Sequence, residues 1–136
     1  YPLDNEYNKV GSGMIGDLAA PVTERKLLDV VKAVAGSCLI RHSGFLEKPV
    51  EKVAVCGGSG SFLIKNAIAQ KADAFITADL KYHDFFEAYD KILLVDIGHY
   101  ESEQFTKELI TSILVKKFPT FAILMTEQNT NAVQYY

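Results

Sequence analysis

The sequence predicts an α/β fold, a three-layer α/β/α arrangement around a largely parallel or mixed sheet. Apolar runs of strand length, KVAVC (52–56), DAFIT (73–77) and KILLVD (91–96), alternate with segments of helical periodicity. Within those runs AVC and ILLV are apolar at consecutive positions, the pattern of strands buried on both faces. Each run is followed by a cluster of glycine and polar residues, GGSG (57–60), TADLKYHD (77–84) and DIGHYESE (96–103).

Taken in chain order, residues 1–21 carry three glycines and two prolines with little periodicity, and an irregular arm is expected there, ahead of an α/β domain over 22–136. Thr23 is placed to cap a helix over 24–35, in which Leu27, Leu28, Val30, Val31 and Val34 recur at helical spacing before Gly36 supplies the stop. SCLIRHSG then reads as a short strand, GFLEKPVE as a connection and 52–56 as a strand. SFLIKNAIAQK (61–71) is helical, DAFIT a strand, KYHDFFEAY (81–89) a short helix and KILLVD a strand. SEQFTKELITSILVKKF (102–118) follows as a long helix, and TFAILMT (120–126) closes as a strand. Phe85, Phe86, Leu109, Ile110, Ile113 and Leu114 fall at core spacing and are expected to pack rather than bind.

The 136 residues, 49% hydrophobic and 23% charged, suffice for one core without a disulfide or metal to hold it. A net charge of −3 with no clustered basic patch excludes nucleic acid as a direct partner. The longest uncharged stretch, Val53 to Ile64, is broken by GGSG and falls short of the roughly 18 apolar residues of a spanning helix, so no membrane segment is expected. Cys38 and Cys56 sit inside apolar runs rather than at metal or disulfide spacing, and read as reduced, buried and cytoplasmic. The chain opens on Tyr1 with neither a basic start nor an apolar leader, and reads as a piece of a longer protein.

Ligands of open α/β sheets bind beyond the carboxyl ends of the strands, so the three polar loops are read together. In the third, Asp96 ends a buried strand, Gly98 permits a tight turn, and His99 and Glu103 stand four apart, on one helical face. Imidazole with carboxylate suits Zn, Mn, Fe and similar divalent ions; an ordinary surface pair is the alternative. The second loop gathers Thr77, Asp79, Lys81, Tyr82, His83 and Asp84, a density of titratable groups suited to acid–base work, or else a helix start capped by Asp79. The first loop could cradle an anion at a helix start or form a plain tight turn, and it matches neither standard nucleotide fingerprint. Ser59, Asp96 and His99 follow the chain order of a hydrolase triad, but Ser61 replaces the last glycine of the elbow and Asp96 and His99 share a loop, which disfavours it. His42 reads as a solvated residue.

Four stretches, GSGMIGDL (11–18), VAVCGGSGSFLIKNA (53–67), ADAFITADLKYHD (72–84) and LLVDIGHYESE (93–103), closely resemble the carboxy-terminal portion of the NIF-three-like family, whose members carry the name GTP cyclohydrolase 1 type 2 homologue. The resemblance implies a three-layer α/β protein assembled as a ring-shaped hexamer, with two divalent metal ions per full-length subunit, Zn, Fe or Mn with Mg a further candidate. It places the family's later ligands on His99 and Glu103, and its earlier ones, a His-His pair and an Asp, in an amino-terminal half outside this chain, so the site here would be incomplete. It also implies that YPLDNEYNK ends a domain inserted between the halves of longer members, which makes 1–21 its tail. Two positions depart from the family pattern: Gly13-Met14-Ile15-Gly16 for Gly-Arg-Ile-Gly, and Thr77-Ala78-Asp79 for Thr-Gly-Asp, the second at the turn that aims Asp79 and Lys81. The function implied is a metal-dependent hydrolase acting on a nucleotide or similar small substrate. In it His99 and Glu103 hold metal, Asp96 or a nearby carboxylate orients His99, and His83 or Asp79 moves a proton. The alternative is a metal-binding scaffold with a protein partner and no turnover.

Overall fold

The computed structural model describes residues 11–36 and 39–135, and the chain divides into two units, residues 1–102 and 103–136. The first unit is built on a five-stranded mixed sheet. Its elements are β1 (Met14–Thr23), α1 (Glu24–Ala35), β2 (Arg41–His42), β3 (Pro49–Ser59), a 3-10 turn (Ser61–Leu63), α2 (Ile64–Ala69), β4 (Ala74–Ala78), α3 (Asp84–Glu87), β5 (Leu93–Asp96) and the start of α4 (His99–Glu103). The strand order is β1-β3-β4-β5-β2, with β3, β4 and β5 parallel and both edge strands antiparallel to their neighbours.

Both faces of the sheet are covered, as the consecutive apolar runs require. Alternate residues of β4 and β5 enter opposite cores: Phe75 and Leu94 pack with Leu63, Ile64, Ala67 and Ile92, whereas Ala74, Leu93 and Val95 pack with Leu27, Val31 and Val50. Helix α2 thus supplies one layer and α1 the other. Each fully buried Leu, Ile or Val contributes about 1.5–3 kcal/mol by leaving water.

The expected helix over 24–35 is present with its caps: Thr23 Oγ1 accepts from Lys26 N at 3.2 Å, and Gly36, at φ +79°, closes back on the Lys32 carbonyl. Glu24 turns inward, almost fully buried, and accepts the N–H groups of Leu46 (2.9 Å) and Glu47 (3.0 Å).

Several expectations are corrected. Residues 14–21 are not irregular but belong to β1, an edge strand whose ladder with β3 slips between Asp17 and Val22. Only Ile15 of that strand is buried, so no alternation marks it in the sequence. Residues 1–10 of the expected arm, and Cys38, lie outside the described residues. Cys56 is half-buried rather than buried. β3 continues through Gly57, Gly58 and Ser59, so the first loop is shorter than expected. Phe85 packs against the core, but Phe86 is exposed.

The second unit carries the end of α4, then α5 (Thr106–Lys117), and residues 119–135 without regular secondary structure. TFAILMT is therefore not a strand: among the described residues it has no ladder partner, and a strand exists only against a neighbour. Nor do Leu109, Ile110 and Ile113 form a core, being 61%, 51% and 53% exposed. One helix and a segment without regular structure have no second layer of their own against which an apolar stripe can be buried. No helix among the described residues is long and apolar enough to cross a membrane.

Candidate functional site

The parallel registers Ser59↔Ala78 and Thr77↔Asp96 bring the carboxyl ends of β3, β4 and β5 level. Three side chains from the three ends meet there. Asp79 follows β4 at φ +57°, a left-handed conformation that Asp tolerates better than most side chains. Its Oδ2 accepts from Ser59 Oγ at 3.1 Å and from the Nδ1–H of His99 at 2.6 Å. The hydrogen bond from His99 holds the Asp79 carboxyl below the usual carboxylate range; partial burial opposes the shift and the Ser59 hydroxyl adds to it. Both partners stay about half exposed, 46% for Asp79 and 51% for His99, so the pair is reachable from solvent. Ala78, where the resembling family has glycine, ends β4 fully buried and outside the left-handed region, so the turn that aims Asp79 does not need a glycine there.

The walls of the site come from backbone close packing. Thr77 Oγ1, fully buried, donates to the Gly58 carbonyl at 3.0 Å. The Gly58 N–H donates to Ser102 Oγ at 2.8 Å, and that hydroxyl donates to the His99 carbonyl at 2.8 Å, tying the first turn of α4 to the end of β3. Since Gly58 spends its N–H on Ser102, the first loop fits the tight-turn reading rather than an anion cradle.

Of the two expected partners of His99, Asp96 or a nearby carboxylate, the one described there is the nearby one, Asp79. The buried carboxylate of Asp96 accepts the N–H groups of Leu80 and Gly98, each at 3.0 Å, and pairs with Arg41. Asp79 is not a helix cap: Asp84 Oδ2 accepts Lys81 N at 2.7 Å in that turn. The triad order also fails, because Ser59 and His99 both donate to one carboxylate oxygen of Asp79 and Asp96 has no described bond to either. His83 is exposed, edge-on to Tyr82 (5.6 Å between ring centroids) and tilted against Phe86 (6.4 Å), with no described bond to Asp79 or His99. His42 is not merely solvated: it stacks on Phe45 at 4.7 Å and donates from Nδ1 to the Ser43 carbonyl at 2.7 Å.

Glu103 is the last residue of α4 and the first of the second unit. Among the described residues no group of three or more His, Cys, Asp or Glu is gathered in a way that could hold a metal ion. The donor chemistry fits a divalent ion in part: an imidazole whose Nδ1 is fixed by a carboxylate is the usual state of a histidine that ligates through Nε2. Ser59, Ser102 and Arg41 contribute contacts that the sequence reading did not assign. They lie 20, 44 and 55 residues from the groups they bond, and local spacing carries no signal of them.

A doubly covered mixed sheet with a carboxylate–imidazole pair at the strand ends defines an α/β protein whose polar side chains gather on the carboxyl-end loops, the place where ligands of open α/β sheets bind. The chain belongs to the Duf34/NIF3 (NGG1p interacting factor 3) family, whose model matches residues 2–132. It is 33% identical over 135 residues to a GTP cyclohydrolase 1 type 2 homolog of Staphylococcus epidermidis, covering 96% of this chain and 37% of that protein. A homolog of the same name from Halalkalibacterium halodurans is 35% identical over 125 residues, 88% of this chain and 34% of that one. The chain thus spans little more than a third of the curated relatives it matches. Among solved structures it resembles Staphylococcus aureus protein SA1388 (TM-score 0.79, 25% identity, 93% of this chain and 42% of that one). It also resembles a Bacillus cereus protein related to NIF3 (TM-score 0.76, 28% identity, 93% and 36%).

Proposed function

We propose that this chain supplies the carboxy-terminal share of a dinuclear divalent-metal hydrolase acting on a nucleotide or related small substrate, with His99 and Glu103 as its ligands. The observation that carries the reading is the 2.6 Å contact between Asp79 Oδ2 and His99 Nδ1. A carboxylate on Nδ1 fixes one tautomer and ring orientation, and raises the basicity of Nε2. Asp79 in this reading holds the His99 proton rather than shuttling one, Ser59 fixes the Asp79 rotamer, and His83 is given no role. Divalent ions there would supply Lewis-acid polarisation of the substrate and activation of water. The nucleotide rests on the name borne by the relatives, and the ring-shaped hexamer on the family resemblance.

Elemental analysis of the protein purified from its native source tests this, with wild type compared with His99→Ala, Glu103→Ala and Asp79→Asn. Two ions per subunit are expected, lost in the alanine variants, with binding about 10–100-fold weaker in Asp79→Asn. Wild type devoid of divalent metal would refute the reading. A second reading, a metal-binding scaffold with a protein partner, is favoured by the exposed apolar residues of α5. It separates from the first because His99→Ala would then leave partner binding intact while no nucleotide is turned over by wild type.

A further inference from the structure

Asp96 has no described bond to either member of the Asp79–His99 pair, yet it bonds the chain neighbour of each. Its Oδ2 accepts the N–H of Leu80, which follows Asp79, and its Oδ1 accepts the N–H of Gly98, which precedes His99. Arg41 of β2 completes the link: one guanidinium nitrogen donates both to Asp96 Oδ2 and to the Leu80 carbonyl, the latter at 2.7 Å. Both polar backbone groups of Leu80 are thereby fixed. The residues on either side of the link, Asp79 (φ +57°) and Gly98 (φ +89°), are both in the left-handed region, where a loop needs outside support to stay. The carboxylate is 5% exposed, so water does not compete for these bonds. Arg41 and Asp96 are also ladder partners across β2 and β5, which sets their side chains side by side.

We infer that Asp96 and Arg41 are positioning residues: they hold the loops after β4 and β5 in one register, so that Asp79 Oδ2 meets His99 Nδ1 and selects its tautomer. The inference rests on the proposed metal site only for what the held imidazole then does. A carboxylate that merely stabilised the fold would have no reason to affect the imidazole. The molecule contains such a carboxylate: Asp73, just before β4 at the opposite end of that strand, accepts the N–H groups of Glu51 (3.0 Å) and Lys52 (2.9 Å).

The test reads the His99 ring directly. The chain has three histidines, so ¹⁵N-imidazole labelling gives a spectrum in which His42, His83 and His99 are assignable by substitution. At one fixed pH, wild-type His99 should show the Nδ1–H tautomer. Asp96→Asn and Arg41→Met should move it towards the mixture of a free imidazole, Arg41→Lys should restore it in part, and Asp73→Asn should leave it in place. The inference is overturned if His99 keeps its tautomer in Arg41→Met or in a folded Asp96→Asn, folding being read from the His42 ring on Phe45. It is equally overturned if Asp73→Asn shifts His99 as far as Asp96→Asn does. Where Asp96→Asn does not fold, the half-exposed Arg41 keeps the decision open to its two variants. A parallel Mn²⁺ titration should weaken about 10-fold with the brace variants. A wild type that binds no Mn²⁺ while the tautomer moves as expected would count against the hydrolase reading and support the brace.

Discussion

Gly60 offers the sharpest test of how the site's walls are packed. Its φ of −115° is open to any residue, so substitution by alanine introduces no backbone strain. The added methyl is another matter: it would stand 3.0 Å from Cys56 Cβ and 3.1 Å from Thr77 Cβ, and would overlap Thr77 Oγ1 outright. Thr77 is fully buried, β-branched and bonded to the Gly58 carbonyl, so it cannot swing away freely. Overpacking costs about 1–3 kcal/mol. Rotating the hydroxyl off Gly58 strands a buried polar group at about 1–3 kcal/mol more. Gly60→Ala should therefore destabilise by about 3 kcal/mol, which lowers the urea midpoint by roughly 1.5 M for an m-value of about 2 kcal/mol/M. Thr77→Ala removes the overlapping oxygen, so Gly60→Ala should cost about 1–2 kcal/mol less in that background. Costs that add within about 0.5 kcal/mol in the double-mutant cycle, or a single-variant cost below that figure, would refute the packing argument.

Asp73 sets a pH dependence. Burial pushes its carboxyl up, but the N–H groups of Lys52 and Glu51, with Lys48, outweigh that and hold it below the usual carboxylate range. A pKa lower in the folded than in the unfolded chain stabilises the fold fully above the unfolded value, and that contribution is lost as pH falls below about 4 through the lowered one. Asp73→Asn should accordingly cost about 1–3 kcal/mol at pH 7 and make acid unfolding shallower, as urea midpoints at pH 7 and pH 3 would show. In the second unit Leu124 is 90% exposed, so Leu124→Ser should change thermal stability by less than about 0.5 kcal/mol.

How much could be read in advance depended on how local the cause was. β4 and β5 were legible because burial on both faces makes adjacent residues apolar, as Ala74 and Phe75 or Leu93 and Leu94 are. α1 was legible from Thr23 and Gly36, whose capping chemistry is local. β1 was not, since its one buried residue, Ile15, leaves no period, and the strand exists through pairing with Val53, Ala54 and Val55 about 40 residues on. TFAILMT shows the converse, strand-forming residues without a neighbouring ladder among the described residues. At the site, Asp79 and His99 each stood out as polar groups beyond buried strands. Their pairing was hidden, because it is fixed by the register of β4 against β5. Between Asp96 and a nearby carboxylate as the partner of His99 the sequence could not choose, because what separates them is the loop backbone that the Asp96 oxygens take.

Four carboxylates of the first unit contrast in what they bond, and the contrast bears on the proposed function. Glu24 takes the N–H groups of Leu46 and Glu47, Asp73 those of Glu51 and Lys52, and Asp96 those of Leu80 and Gly98. Each accepts two backbone N–H groups, in a loop for Glu24 and Asp96 and on β3 for Asp73, a structural task that explains its placement. Asp79 bonds no backbone group in this way. Its two described donors are side chains, Ser59 and His99, drawn from two other strand ends. Two half-exposed side chains add little to stability. Around that contact stand a left-handed backbone at Asp79, a buried Asp96 with its half-exposed partner Arg41, and glycines at 58 and 60 that let β3 approach Thr77. So much support around a contact that stabilises so little is why the proposed function begins from Asp79 and His99.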